Sequence, residues 1–195
     1  MRRVISGGIA AAVFGAACLA AFARPADLMP KPLEGWTASN PVYGESVIAE
    51  QDAGAARPAP PKRIEVSRVY ESGASGLRIA LNTHDRRGVQ IISHVNRLGG
   101  RDPEAAAALA AKGIVPFSFA SLQGVAMHTE EDGDVTGAAL KLGEHGTLTL
   151  EGISDGEPST VALEHVKAYL EHTDLERMAD FIRKTNTARE QSAQE

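Results

Sequence analysis

The alternation of apolar and polar side chains between Lys62 and Asn82 does most to limit how this chain can fold. In "RIEVSRVY" the residues Ile64, Val66 and Tyr70 share one parity, and in "GLRIALN" Leu77, Ile79 and Leu81 alternate with Arg78, Ala80 and Asn82. Successive side chains of a strand point to opposite faces, so this period of two predicts two strands, each with one buried face. The intervening "ESGASG" places Gly73, Ser75 and Gly76 where a hairpin needs permissive backbone. A serine-nucleophile elbow is the poorer reading, because the stretch lacks that motif's second spacer and joins two strands. Four more apolar runs, "IVPFSFA", "LQGVAMHT", "VTGAALKL" and "GTLTLEG", are joined by short turn-like links such as "GEHG". They predict an antiparallel meander.

Helices interrupt the strands at two places. Asp85 is placed to cap a helix through Leu98, with Ile91, Val95 and Leu98 at helical spacing and Gly99-Gly100 as its stop. His94 lies beside that stripe and reads as a half-buried structural histidine. Asp102-Pro103-Glu104 starts a second, alanine-rich helix suited to close packing on a sheet, and Gly113 ends it. Near the C-terminus, Ser159 to His172 and Asp174 to Thr185 read as helices with stripes at Leu163, Val166, Leu170 and at Leu175, Met178, Ile182. Thr173 to Glu176 reads as a capping box between them. With no regular strand-helix-strand alternation, the prediction is a single α+β domain, a mainly antiparallel sheet flanked by helices.

The ends carry different signals. Arg2 and Arg3 precede an uncharged run from Val4 to Ala20, the layout of a signal peptide, and Ala21-Phe22-Ala23 suits cleavage after residue 23. Cys18, the chain's one cysteine, would then be discarded. A lipoprotein signal would want a bulky aliphatic residue three places earlier, where Gly15 stands, so a lipid anchor at Cys18 is the lesser alternative, and an uncleaved anchor another. Residues 24–41 read as an extended proline-rich lead-in that Leu33 and Trp36 bring onto the body, with Trp36 a packed anchor. Residues 42–185 form the domain. "SVIAEQ" reads as a strand, 51–61 as a flexible loop, and 186–195 as a frayed tail.

Composition narrows the function. The formal charge of −5 grows more negative once Arg2 and Arg3 leave, which argues against a nucleic-acid partner and mildly against anionic membranes. Loss of Cys18 removes thiolate chemistry and disulfides from the mature protein. "TEEDGD" lacks the ligand order of a calcium loop. No glycine-rich phosphate loop follows a strand, and no cofactor is called for. Of the six histidines, His165 and His172 lie two turns apart on one helix, about 10 Å along its axis, too far to share one ion. They read first as solvated surface, with a metal or cofactor site the lesser alternative.

The exported leader, a proline-led segment ending in "LEGW", a strand ending in "RVY", the glycine of "LQGVAM" and the helix "VKAYLEHTDLERM" resemble small exported bacterial proteins with a PsbP-like α/β fold. That resemblance spans most of residues 32 to 183. It implies a fold used mainly by noncatalytic accessory and binding proteins; the leader, the one-domain size and the acidic surface add the expectation of a periplasmic or secreted protein that acts on an envelope protein or a small ligand, with no stable membrane insertion after cleavage. The resemblance supplies no catalytic residue, and a shared fold does not by itself establish function. The alternative is a hydrolase or metal-dependent enzyme whose site is assembled from sequence-distant residues such as His84, Asp85 and His128.

Overall fold

The computed structural model describes residues 25–47, 62–129 and 133–192. The expected loop 51–61, the outer part of "SVIAEQ", the acidic residues 130–132 and the leader lie outside them. The first hairpin forms as its alternation requires: β3 (Lys62–Ser72) and β4 (Ser75–Asn82) pair from Glu65 with Asn82 to Ser72 with Ser75, leaving Gly73 and Ala74 as the turn. The meander follows as β5 (Ile114–Phe119), β6 (Leu122–His128), β7 (Asp134–Leu142) and β8 (Gly146–Ser154). β8 pairs with β4, which joins hairpin and meander in the order β3-β4-β8-β7-β6-β5, with every pairing antiparallel. Pro116 is tolerated because β5 is an edge strand.

The lead-in closes the other edge. β1 (Thr37–Ala38) and β2 (Val42–Val47) pair in succession along β3. Before them, a single 3-10 turn at Pro25–Leu28 buries Leu28 and Met29. Pro30 O accepts from Tyr70 Oη at 2.7 Å, and Trp36 stands edge-on to His165 and Tyr169 at 5.2 and 5.5 Å between ring centroids. Trp36 is the anchor that the sequence suggests, with Leu28 and Met29 as further apolar contacts.

Period two gives the sheet two different faces. One collects Val66, Tyr70, Leu77, Ile79, Leu81, Leu140, Leu148 and Leu150, and is covered by α3 (Leu163–Glu171) and α4 (Leu175–Ser192). The opposite face meets α1 (Arg86–Arg101) over Val125 and Ala139. Farther along it, Glu65, Arg78 and Glu151 form an ion-paired ladder across β3, β4 and β8. The molecule is thus an α+β domain with a helical layer on each side of one sheet.

Several local expectations shift. The buried face of α1 is Val89, Ile92 and Val95, while Ile91 is 50% exposed and His94 is exposed. Two adjacent stripes share Val95, and the capping of the first turn decides which one meets the sheet. α1 also runs through Gly99-Gly100 to Arg101, because the Asp102 N–H closes on Leu98 O. Asp102 then caps α2 (Pro103–Ala110) by accepting from Ala105 N at 3.0 Å. None of α2 is fully buried, so its alanines do not make the close sheet contact expected of them. The segment from Ser159 is not helical at its start: β9 (Glu157–Pro158) and β10 (Val161–Ala162) precede α3, and Val161 is buried opposite Val135 of β7. Asp174, not Thr173, caps α4, and Thr173 donates to Tyr169 O instead. α4 continues past Thr185 to Ser192, and Asn186, read as the first residue of a tail, is buried.

Two outcomes follow from this packing. Leu170→Ala should cost about 2–5 kcal/mol in urea denaturation, whereas His172→Ala, at the exposed end of α3, should change stability by less than about 1 kcal/mol. Burial holds the phenols of Tyr70 and Tyr169 protonated beyond the ordinary range. The unfolded chain releases those protons near pH ~10. Their contribution is therefore intact below that pH and lost as pH rises above it, so phenol ionisation measured by ultraviolet absorbance should coincide with alkaline unfolding. Full ionisation of both phenols in the still-folded protein would refute this.

Candidate functional site

The residues between β4 and α1, Thr83 to Asp85, meet the turn between β7 and β8, Gly143 to His145, at one end of the sheet. Asp85 holds the two together. Its Oδ1 accepts from Gly88 N at 3.1 Å, capping α1, and its Oδ2 accepts from Thr147 Oγ1 of β8 at 2.6 Å. A Cβ at Gly88 would overlap that carboxylate, so glycine is required in the first turn. His84 precedes the cap in the left-handed region, φ 57°, uncommon for a residue with a side chain. Its ring lies 5.5 Å from that of His145, tilted by 32°.

Beside His145, α4 passes over the turn. Gly146 permits the approach, since a Cβ there would overlap Ile182. Between them lies a cleft of about 370 Å³, lined by Leu142, Glu144, His145, Ile182 and Asn186 among others. Two polar atoms behind its wall, His145 Nδ1 and Asn186 Oδ1, are buried without a hydrogen-bond partner among the described residues. Asn186 as a whole is 8% exposed. Such groups are uncommon in native interiors, because the lost hydration is not replaced. The rim carries Glu144 and Arg183, and Arg183 is already bonded to Asp180 at 2.6 Å.

The residues singled out from sequence fall in different places. His84 and Asp85 are neighbours at this end, but His128 is not with them. It pairs with Val135 at the start of β7, whereas Leu142 at the end of β7 pairs with Gly146 beside His145. Seven residues of strand separate the two ends, about 23 Å. Asp85 is occupied as cap and clamp, so the His84–Asp85–His128 constellation does not assemble. His165 is held against Trp36, and His172 Nδ1 lies 2.8 Å from Ala168 O at the end of α3. Among the described residues, no group of three or more His, Cys, Asp or Glu side chains is placed to hold a metal ion.

At the cleft, His145 is one of the six histidines that are the chain's chemical candidates, with nothing in the sequence to single it out, and Asn186 is the residue that the sequence reading does not point to. His145 sat in a turn without a motif. Asn186 carried a usable signal: it falls four residues after Ile182 and eight after Met178, a polar side chain continuing the apolar stripe of α4. No protein-family model, curated protein or solved structure matches the chain.

A buried amide oxygen with no partner among the described residues opposes folding, so its apolar replacement should help. Asn186→Leu is expected to raise stability by about 1–2 kcal/mol in urea denaturation. A loss of similar size would show that the amide is satisfied and structural.

Proposed function

We propose that this chain is an exported, noncatalytic accessory or binding protein of the bacterial envelope, and that it binds a small ligand in the cleft between α4 and the β7–β8 turn. The observation that carries the reading is the pair of buried atoms at one cleft, His145 Nδ1 and Asn186 Oδ1, that have no hydrogen-bond partner among the described residues. Both lie just behind the wall. A side-chain rotation would bring the Asn186 amide into the cleft, where an occupant would provide the hydrogen bond that the wall withholds. A volume of about 370 Å³ corresponds to about twelve waters, hence an occupant of about a dozen non-hydrogen atoms. Leu142, Ala179 and Ile182 suit an aliphatic body. With Arg183 matched to Asp180, the preferred head group is neutral and able to donate to an amide oxygen, a hydroxyl or a carboxamide.

Export to the envelope rests on the leader reading, and the accessory or binding role on the resemblance to PsbP-like exported proteins. No helix among the described residues is long and apolar enough to cross a membrane. The test uses four six-carbon probes: hexanamide, hexanol, hexanoate and hexylamine. At millimolar concentration the neutral pair should shift the NMR signals of Gly143 to Gly146 and of the Asn186 side chain more than the charged pair does, and Asn186→Leu should remove the difference. Equal shifts from all four, or none, would refute the reading.

A further inference from the structure

We propose that the exposed face of α1, with the groove it shares with α2 and β5, docks an acidic segment of a partner protein. In a chain of net charge −5, α1 carries Arg86, Arg87, Arg97 and Arg101 and no acid across its 16 residues. All four arginines are exposed, and none is in an ion pair among the described residues. Arg97 instead meets His94 Nδ1 at 3.1 Å, a partner without negative charge.

The placement of two of them sharpens the point. A helix N-terminus carries positive dipole and favours acids, yet the first turn of α1 holds Arg86 and Arg87. The dipole disfavours both side chains there, so helix stability does not account for them. Between the arginines runs a groove of about 730 Å³ whose lining includes Arg87, Ile91, His94, Arg97, Leu109 and Ile114. Ile91 is 50% exposed there, and Met127, 41% exposed, stands directly across from Ile114 on β6, extending the apolar floor. Cationic walls over an apolar floor fit an acidic segment with an apolar side chain among its carboxylates. A flat anionic bilayer fits less well, since it cannot fill a groove and is repelled by the acidic remainder of the protein.

This surface lies on the sheet face opposite α4, so it stands or falls independently of the cleft. The experiment is fluorescence anisotropy of a labelled Glu-rich peptide with one central leucine, titrated with the purified protein. Saturable binding is expected, weakened about tenfold by Arg86→Glu with Arg87→Glu, while circular dichroism is kept and the melting temperature holds or rises because acids suit that turn. Ile91→Ser, or serine for the peptide's leucine, should weaken binding about fivefold, which charge attraction alone would not produce. The Gln-rich counterpart should not bind. No binding, or binding indifferent to the arginine reversals or to Ile91→Ser, overturns the proposal. So does preference for phosphatidylglycerol vesicles over the peptide, with phosphatidylcholine vesicles as control.

Discussion

One carboxylate joins the two halves of this architecture. Asp85 ends the β4 hairpin, starts α1 through Gly88 N, and reaches across to Thr147 on β8. Thr147 is 1% exposed, so the bond is made where water competes poorly. It sets the rotation of α1, which decides that Val89, Ile92 and Val95 face the sheet and that Ile91 and the arginines face outward. It also fixes the backbone beside His84 and His145. The basic groove takes its geometry from it, and the cleft lies beside the turn it adjoins.

The sheet supplies the other constraint, and it separates the two surfaces. Because neighbouring side chains on β8 point to opposite faces, Leu148 and Leu150 join the core under α3 and α4 while Thr147 meets the start of α1. The cleft grows on the first side, where α4 crosses the β7–β8 turn. The groove grows on the second, where α1 meets β5. The end of the sheet near His145 therefore serves both helical layers, whereas His128 belongs to the opposite end.

What could be read from the sequence was whatever depends on local periodicity or a cap. The alternation at Ile64, Val66, Leu77, Ile79 and Leu81 led directly to the β3–β4 hairpin, and the meander, Asp85 and Asp102 followed by the same logic. Rotation and range were less legible. Ile91 and Val89 are both plausible core residues until Thr147, distant in sequence, engages the cap. Ser159 to Ala162 looked helical because nothing local reveals that Val161 pairs with Val135. The cleft was hidden for the same reason, since His145 and Asn186 come to one cleft only after α4 lies across the turn. The polar break in the α4 stripe was its one visible trace.

Treating Asp85 as a latch, and not as a catalytic acid, is the claim on which the rest depends. A double-mutant cycle with Asp85→Asn and Thr147→Val, followed by urea denaturation, measures it directly. The latch predicts a coupling energy of about 1–2 kcal/mol between the two positions. Strictly additive losses would contradict it and leave the orientation of α1, and the groove built on it, without its physical cause.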